Sequence, residues 1–598
     1  MVNKPFKPGF ILRCNVLNMK TLFVSAFLSI YNAENAAALR GVSERMGSFI
    51  KLAKTGIPIR LFVCPVYESA VREAIVPYPN VQVHRVLNLY DTRTYSILEP
   101  YRDKLPSVRS AVKDTFEYIT LMNAKMEFIQ EVMDAYEYEQ YAWIDFNIWY
   151  IIRNDLNPTY TLAMLANNTL VSDADIYMPG CWNWTKGMMI EHAWLRILWR
   201  FCGGFFIGRA AAMRKYCALM NEHLGPLIQE AGALTWEVNI WHLMESRGLW
   251  TPIWFCADHN EDMIAVPGEY IQMPAKYNTV LNGRFPVSCL HGSAGTMNGV
   301  YELLPRMYGF WPSSIAFCRL RGGSGCIMNV RYVNYELTPQ GAYIIHHPLG
   351  HLCTKNIACE LDETYAIQSI RVLADKPADI TSLRGGIEGL EDIRLFEVNG
   401  DIRFIATQRE FSQENVNRMM TGRYAFDQLV CNDVTILEPP QYTGCEKNWV
   451  PVVRKTGGED DVQYMYGWGP LRVGSIQSGT RTLEITSSVP SRLDGILGRM
   501  KGSSTFVDCS DGTLLGVVHY SEEGSPRRYF HCLIRLNADT LEPIELSHPF
   551  VFQKVGIEFC IGFDIEEGGE RYRFWYSQHD KNPAWCSVPV GNFFMYMC

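Results

Sequence analysis

The hydrophobic pattern of this 598-residue chain changes at residues 319–325, and this change limits the fold more than any other feature. Before it, short runs of β-branched and aromatic residues alternate with long segments of helical periodicity. After it, apolar segments are short and alternating, and glycine-containing turns separate them. A chain of this length is also too long for one hydrophobic core. We therefore predict an α/β domain over residues 1–320 and an all-β domain over residues 321–598.

Composition and charge narrow the class of protein. Apolar residues make up 48% of the chain and charged residues 20%, which is typical of a globular protein. The formal charge is −8 and no block of Lys or Arg is present, which argues against a nucleic-acid or anionic-membrane partner. The apolar run at residues 22–30 is too short to span a bilayer, so we expect neither a membrane span nor a secretory signal. The 18 Cys are scattered without CxxC spacing, so we expect reduced thiols and a cytoplasmic location.

The first half predicts a mostly parallel, Rossmann-type sheet flanked by helices. Predicted strands lie at residues 22–27, 59–65, 81–86, 141–149, 173–179 and 201–208. Predicted helices lie at residues 35–54, 107–135 and 209–231. In a doubly wound sheet, ligands bind at the carboxyl ends of the strands.

The apolar run at residues 141–149 contains two oxygen-bearing side chains, Asp145 and Asn147. On an extended strand these positions face the same side, so both side chains could contact one cation. Because burying a carboxylate is costly without a partner, Asp145 should have one. The alternative is that Asp145 and Asn147 open a turn, as these residue types often do.

Further polar residues interrupt or end buried segments of the first half. Glu237 lies within an otherwise apolar segment, and Asp258, His259 and His291 follow apolar runs as possible ligands. Histidines in such positions can equally be hydrogen-bonded structural residues. The glycine pair at residues 203–204 permits close approach of a ligand or another backbone, or marks a simple bulge.

The second half has the pattern of a five-bladed β-propeller. Turn signals occur at residues 385, 399, 457, 511 and 566, and polar clusters recur at roughly blade spacing. Side chains placed once per blade would meet in a central pocket suited to sugars, whereas the alternative is a set of ion pairs between blades. The clusters contribute Asp392 and Glu558 as acid/base candidates, and as substrate-binding candidates Arg331, Asn334, Arg394, Glu446, Lys447 and His519.

Two family resemblances add to this pattern. The segment from Phe116 to Lys125, the Trp143-Ile-Asp145 strand, the glycine pair and Thr235-Trp-Glu237 resemble the HtrL/YibB family, which is related to nucleotide-sugar glycosyltransferases of the GT-A type. The resemblance covers about residues 20–290.

This resemblance implies a nucleotide diphosphate sugar as donor and a divalent cation, Mn²⁺ or Mg²⁺, at Asp145 and Asn147. His291 or His259 would supply the later metal ligand, and Lys125 would contact phosphate. Glu237 or Asp258 would act as base toward the acceptor hydroxyl. The usual Asp-x-Asp motif is changed here, because Asn147 stands in place of the second acid.

The second half resembles the five-bladed propellers of glycoside hydrolases and phosphorylases, especially the β-mannoside phosphorylase group of glycoside hydrolase family 130. The step Glu391-Asp392-Ile393-Arg394 is similar to the Glu-Asp-Pro-Arg pattern of that group, with Ile393 in place of proline. Such propellers also accompany glycosyltransferase domains in large DNA viruses, which would imply a location in the host cytoplasm.

The sequence thus predicts a glycosyltransferase that moves a sugar to a glycan or protein acceptor, with a propeller that binds or processes the glycan. One alternative is a propeller-based glycosidase, glycoside phosphorylase or mannosyltransferase with a supporting first domain. Another is a non-catalytic, lectin-like protein. The donor, the acceptor, the linkage and the oligomeric state are not predicted.

Overall fold

The computed structural model of the chain has two units: Met1–Met273 with Gly283–Phe285, and Pro274–Asn282 with Pro286–Cys598. The structure describes residues 19–31, 40–153, 156–183, 190–272, 279–282, 285–302, 304–320, 325–374, 376–377, 379–383, 386–456, 459–477, 479–491, 493–593 and 595–597. The predicted linker residues 321–324, the start of the helix at 35–54 and the turn glycines at 385 and 457 lie outside these residues.

The first unit contains a seven-stranded sheet in the order β3-β2-β1-β4-β6-β5-β7. Its strands are β1 (Thr21–Phe27), β2 (Ile59–Val63), β3 (Val81–Val86), β4 (Gln140–Ile144), β5 (Ile176–Gly180), β6 (Phe205–Arg209) and β7 (Ile253–Cys256). β6 pairs antiparallel with β4 and β5, and the other pairings are parallel. The predicted mostly parallel sheet is therefore present.

Helices cover both faces of this sheet. They are α1 (Val42–Ala53), α2 (Glu68–Ile75), α3 (Arg93–Leu98), α4 (Phe116–Asn123), α5 (Lys125–Ala135), α6 (Leu156–Asn167), α7 (Ala210–Ala231) and α8 (Glu237–Ser246). Because strand side chains alternate between faces, Tyr141 and Trp143 of β4 enter one apolar core, and Ala142 and Ile144 enter the other. Among the described residues, no helix combines the length and hydropathy needed to cross a membrane.

Two predicted elements of the first unit differ from the structure. The single helix predicted at residues 107–135 is two helices: Thr115 caps α4 by accepting a hydrogen bond from the Tyr118 amide at 3.2 Å, and Ala124 separates α4 from α5. The strand predicted at residues 141–149 ends at Ile144 and a turn follows. This turn is the local structure that Asp and Asn favour.

The second unit is composed of β-strands, with one short helix, α9 (Asp494–Leu497), among its described residues. Its first strands are β8 (Thr279–Asn282), β9 (Phe285–Cys289), β10 (Met297–Val300), β11 (Trp311–Arg319), β12 (Cys326–Val333), β13 (Tyr335–Leu337), β14 (Tyr343–Ile345), β15 (Leu352–Leu361), β16 (Ile367–Val372), β17 (Ile387–Glu388), β18 (Glu391–Val398), β19 (Asp401–Gln408), β20 (Arg418–Ala425) and β21 (Val430–Leu437). The later strands are β22 (Val450–Thr456), β23 (Glu459–Trp468), β24 (Leu471–Ile476), β25 (Leu483–Val489), β26 (Lys501–Gly502), β27 (Val507–Asp508), β28 (Thr513–Glu522), β29 (Arg528–Asn537), β30 (Pro543–Ser547), β31 (Phe550–Val551), β32 (Glu558–Ile565), β33 (Arg571–Gln578), β34 (Lys581–Pro589) and β35 (Met595–Met597).

These strands have a propeller-like arrangement with four separate blades. The blades are the sheets β11-β12-β15-β16, β18-β19-β20-β21, β22-β23-β24-β25 and β10-β34-β33-β32. The sequence predicts five separate blades, whereas the described residues form four. Strands β26 to β31 belong to a nine-stranded sheet, because β31 joins β29 to β9 and extends the pairing to β8.

Three of the predicted turn signals, at residues 399, 511 and 566, lie in hairpins of the second unit. Asn399 and Gly400 both have positive φ, 50° and 84°, and connect β18 to β19 in the two-residue turn that Asn-Gly favours. The domain boundary predicted at residues 320/321 differs from the observed division. Strands β10 and β11 precede that point, yet they pair with β34 and β12 and so belong to the second unit.

Candidate functional site

A cavity of about 300 Å³ in the first unit lies at the carboxyl ends of β1 and β4. Its lining includes four of the predicted site residues, Lys125, Asp145, Asn147 and Glu237, and also His259. Open α/β sheets bind ligands at this edge, so the position agrees with the general rule for the fold.

Asp145 and Asn147 reach this cavity from a turn and not from a strand. The amide of Ile148 donates to the Asp145 carbonyl at 2.9 Å, which closes the turn directly after β4. The expected partner of the Asp145 carboxylate is present, because Trp143 Nε1 donates to its Oδ1 at 2.6 Å. The buried Oδ1 of Asn147 has no hydrogen-bond partner among the described residues. An unpaired buried acceptor is costly, so this oxygen is suited to contact a ligand.

Lys125 is the buried cation of the site. Its Nζ lies 2.9 Å from Glu237 Oε1 and 3.4 Å from Asp145 Oδ1, and it donates to the Gly203 carbonyl at 2.8 Å. Lys125 and Glu237 are 1% and 4% exposed, whereas the Asp145 side chain is 35% exposed. Burial acts to lower the pKa of Lys125, but the two carboxylates outweigh it and raise that pKa above its ordinary value. Lys125 therefore stays charged beside a cavity in which Asp145 is open to a ligand.

The glycine pair at the start of β6 leaves room for this arrangement. A β-carbon on Gly203 would lie 2.1 Å from Glu237 Oε1 and 3.2 Å from Lys125 Nζ. A β-carbon on Gly204 would lie 2.7 Å from Met263 Sδ. The glycines permit close approach of side chains, whereas the sequence analysis expected a ligand, another backbone or a simple bulge.

Sequence reasoning missed three further cations of the cavity: Arg40, Arg45 and Lys113. The Arg40 guanidinium lies 3.4 Å from the centroid of the Tyr150 ring, and its buried Nη1 has no partner among the described residues. Arg45 lies 5.5 Å from the centroid of the Tyr31 ring. These residues have no motif around them, and only the tertiary fold brings them to the strand ends. Together with Lys125 they give the cavity an excess of positive charge over its two acids, which favours an anionic ligand.

The remaining ligand and base candidates of the first half occupy different positions. Asp258 and His259 follow β7, where Asp258 Oδ1 accepts from the His259 amide at 2.7 Å. His259 lines the cavity, whereas Asp258 is largely exposed. His291 follows β9 in the second unit, and its amide donates to the Phe552 carbonyl at 2.8 Å. Of the two predicted bases, Glu237 therefore lines the cavity and Asp258 does not.

A second polar cluster lies in the second unit, where side chains from several sheets meet. Arg331 of β12 lies 2.8 Å from Asp392 Oδ1 and 3.8 Å from Glu391 Oε2, and Lys447 lies 3.3 Å from Glu391 Oε2. Asp580, in the turn between β33 and β34, joins this cluster electrostatically. Arg331, Asp392 and Lys447 thus meet in ion pairs, which is the alternative drawn from the sequence, and a central sugar pocket stays a prediction.

The pKa values of the two aspartates of this cluster, Asp392 and Asp580, are shifted in opposite directions. Burial acts to raise the pKa of Asp392, but Arg331 and neighbouring cations outweigh it and lower that pKa. Burial raises the pKa of Asp580 against the opposing effect of Arg331, and Asp392 raises it further. Tyr335 donates a hydrogen bond to Asp580 Oδ2 at 3.1 Å. Sequence reasoning missed Asp580.

The other predicted residues of the second half contact neighbouring backbone and side chains outside this cluster. Asn334 donates to the His351 carbonyl and accepts from the Cys353 amide. Glu446 accepts from Trp449 Nε1 at 2.7 Å, and His519 Nδ1 lies 2.8 Å from the Ser503 hydroxyl. These contacts hold the blades and loops together.

Arg394 and Glu558 are also held by backbone groups. Arg394 Nε donates to the Ser503 carbonyl at 2.6 Å, and burial lowers the pKa of Arg394 to about 10. Glu558 accepts from the amides of three consecutive residues, 552–554, at 2.6, 2.9 and 3.1 Å. Burial raises the pKa of Glu558 although these hydrogen bonds oppose the shift. The structure thus gives Glu558 a loop-anchoring position, apart from the contacts of Asp392.

No family model and no curated protein matches this chain. Among solved structures, a GDP-Man-dependent mannosyltransferase from Leishmania mexicana has 9% identity and a TM-score of 0.32, over 48% of this chain and 86% of its own. A GH43 β-xylosidase/α-arabinofuranosidase from a compost microbial metagenome has 8% identity and a TM-score of 0.32, over 50% of this chain and 98% of its own. The arabinanase Arb43A of Bacillus subtilis has 11% identity and a TM-score of 0.30, over 47% and 96%. Sequence identities and TM-scores this low do not support an inference about activity, so such an inference must come from the geometry of the site.

Proposed function

We propose that this chain is a carbohydrate-active enzyme whose first unit transfers a sugar from a nucleotide diphosphate sugar to a hydroxyl of a glycan or glycoprotein. The observation that carries the proposal is that two buried polar atoms, Arg40 Nη1 and Asn147 Oδ1, have no hydrogen-bond partner among the described residues. Both residues line the cavity that also contains Lys125 and Asp145. An unpaired donor and an unpaired acceptor beside several cations suit a ligand that combines phosphate oxygens with sugar hydroxyls.

The cationic side chains would bind the diphosphate. Arg40 can offer paired N–H donors to phosphate oxygens, and Arg45 and Lys113 add positive charge from the same lining. Negative charge develops on the leaving diphosphate as the sugar bond breaks, and fixed cations in the cavity would stabilise that charge. Lys125 acts mainly by positioning, because it holds Asp145 and Glu237 in place.

The donor set also fits a divalent cation. Asp145 supplies a partly exposed carboxylate and Asn147 an amide oxygen without a partner. Mg²⁺ commonly binds through one or two such oxygens together with substrate phosphates. A bound cation would neutralise diphosphate charge. Since Asn147 contributes no charge and Lys125 lies 3.4 Å from Asp145, the protein's own cations would carry much of this function.

Glu237 is the base candidate in this cavity. Its carboxylate is buried and hydrogen-bonded to Lys125, which fixes its orientation toward the lining. A base must come within hydrogen-bond reach of the acceptor hydroxyl. We propose that Glu237 accepts this proton and that Asp258 does not take part.

The test is binding and turnover of UDP- and GDP-sugars by the purified full chain, with Mn²⁺, with Mg²⁺ and with a chelator. We expect Asp145→Asn to lower turnover roughly 100-fold or more, as is usual when one electrostatic stabiliser is lost. The matched control is Asp134→Asn, which changes an exposed aspartate of α5 outside the cavity lining. Turnover by Asp145→Asn at the wild-type rate, or no binding of any nucleoside diphosphate, would refute the proposal.

A second candidate function places sugar chemistry in the second unit. The observation that favours it is that the pKa of Asp392 is lowered and that of Asp580 is raised around Arg331. When the pKa values of two carboxyl groups are shifted apart, one can act as base and the other as acid. This activity would be that of a glycosidase, glycoside phosphorylase or mannosyltransferase. Release of sugar or sugar phosphate from an oligosaccharide, abolished by Asp392→Asn and unaffected by Asp145→Asn, would establish it in place of the first proposal.

A further inference from the structure

The first unit holds a second cluster of ligating side chains, formed by Cys181, Cys202 and His259. Their ligating atoms all lie within 4.8 Å of one another. The two sulfur atoms are 3.7 Å apart, which is too far for a covalent bond. Sequence reasoning found no such cluster, because the three residues come from three separated segments.

This separation of the sulfur atoms has a direct geometric meaning. Two thiolates bound to one tetrahedral zinc ion at the usual Zn–S distance of about 2.3 Å stand about 3.8 Å apart. The cysteines therefore already have the spacing of two ligands on one ion. Asp258 lies beside the cluster, with its Oδ1 3.9 Å from Cys181 Sγ and 3.3 Å from His259 Nδ1.

The backbone holds the segments that carry these residues. The Cys202 amide donates to the Pro179 carbonyl at 2.8 Å, and the Cys181 amide donates to the Trp199 carbonyl at 3.2 Å. The Ala257 amide donates to the Gly180 carbonyl at 2.9 Å, which ties the segment of His259 to the end of β5. The ligands are thus fixed by strand pairing and not by flexible side chains alone.

Gly180 makes this close packing of segments possible. A β-carbon at this position would lie 2.0 Å from the Arg200 carbonyl oxygen and 2.5 Å from Trp254 Nε1. Any larger residue would push away the segment that carries Cys202. The packing that brings the two cysteines together therefore depends on this glycine.

We propose that Cys181, Cys202 and His259 bind a thiophilic divalent cation such as Zn²⁺, with a water molecule at the fourth position and Asp258 hydrogen-bonded beside the site. The chemistry differs from that of the Asp145 turn, where Asp145 and Asn147 offer oxygen donors, so the two sets of ligands favour different metals. Thiolate and imidazole ligands suit Zn²⁺, whereas carboxylate and amide oxygens suit Mg²⁺ or Mn²⁺.

The ion would fix one wall of the cavity. His259 lies both in this cluster and in the cavity lining, and its ring packs edge-on against Trp199 with centroids 4.2 Å apart. Trp199 has φ of 54°, an uncommon conformation for a non-glycine residue, which surrounding structure must hold in place. A bound ion would supply that restraint from the side of His259.

Cobalt binding to the reduced full chain tests the proposal. We expect one Co²⁺ to bind with the thiolate-to-metal charge-transfer absorption of a tetrahedral site, and Zn²⁺ to displace it. Cys181→Ser and Cys202→Ser should each weaken binding by more than the roughly 10- to 100-fold that loss of a supporting residue costs. The control is Cys217→Ser, another buried free cysteine, which lies on α7 outside this cluster.

A measurement on the unaltered protein avoids dependence on variants that fail to fold. Zn²⁺ should protect the partly exposed Cys181 from alkylation and leave the exposed Cys445 of the second unit reactive, as peptide mass spectrometry would show. Co²⁺ binding without the charge-transfer absorption, equal alkylation of Cys181 with and without Zn²⁺, or a Cys181–Cys202 disulfide in the isolated protein would each overturn the proposal. None of these readouts uses sugar transfer, so the result is independent of the proposed function.

Discussion

Replacing Lys125 by Met removes a buried ammonium group that lies between two carboxylates. Its Nζ is 2.9 Å from Glu237 and 3.4 Å from Asp145, which corresponds to gross attractions of about 6 and about 5 kcal/mol at an effective dielectric constant near 20. Much of this attraction is offset by the desolvation of the charges. The cost of the substitution is therefore set by the buried Glu237 that is left without its cation.

We expect Lys125→Met to lower the free energy of unfolding of the first unit by about 3–5 kcal/mol, the usual cost of breaking a buried pair from one side. Adding Glu237→Gln should recover part of this loss, because the unpaired charge is then removed as well. A coupling of about 1–3 kcal/mol between the two substitutions is expected for residues in direct contact. The control is Arg214→Met, which breaks the exposed pair with Asp134 and should cost under about 1 kcal/mol.

Urea unfolding followed by hydrogen exchange of peptides from α5 and α8 would assign the transition to the first unit. A cost below about 1 kcal/mol for Lys125→Met would refute the reasoning, because a buried pair broken from one side is expected to cost more. A double variant at least as unstable as the single variant would refute it too, since it would mean that Glu237 does not need its cation.

Three further predictions concern other parts of the chain. Burial lowers the pKa of His531 to about 3, so the histidine binds a proton in the unfolded state but not in the folded state as the pH falls through 6.5, and the protein loses stability. In urea unfolding, the wild type should therefore lose about 1.4 kcal/mol more stability than His531→Phe between pH 7.5 and 5.5. Equal losses of stability in the two proteins would contradict this prediction. Gly203→Ala places a β-carbon 2.1 Å from a carboxylate oxygen and should cost about 1–3 kcal/mol. In α1, Gly47→Ala, whose added β-carbon would meet nothing within 4 Å, should be neutral or stabilising by about 0.5–1 kcal/mol. In calorimetry, Arg40→Gln should weaken nucleoside diphosphate binding roughly tenfold, whereas the control Arg85→Gln, at an exposed arginine, should leave it unchanged. Equal nucleoside diphosphate affinities of the two variants would contradict the assignment of this cavity as the binding site.

The fold class of each half can be predicted from the sequence because strands, helices and turns follow from short sequence patterns. The strands β1 to β4 follow runs of β-branched and aromatic residues, and the Asn399-Gly400 turn follows from the conformations that these two residues tolerate. The metal-ligand argument at Asp145 and Asn147 assumed an extended chain, and the turn at these residues shows that this assumption was wrong. Both side chains nevertheless line the cavity.

Long-range pairings explain what the sequence could not predict. The fifth blade was expected from turn spacing, but the parallel pairing of β31 with β9 joins residues about 260 positions apart and merges that segment into a larger sheet. Arg40 in the cavity and Asp580 in the ionic cluster have no neighbouring motif, and tertiary packing alone places them there. The same holds for Cys181 and Cys202, whose spacing of 21 residues matches no familiar metal-binding pattern.

The contact between Lys125 and Glu237 spans 112 positions of the chain. During synthesis from the amino terminus, the helix that begins at Lys125 is therefore made well before the carboxylate that neutralises it in the finished unit. Until α8 has emerged, this lysine must remain hydrated, and the end of α5 cannot reach its final burial. The charge pair can therefore form only late in the synthesis of the first unit, after α8 has emerged, and the cavity is complete only when β7 and His259 have followed.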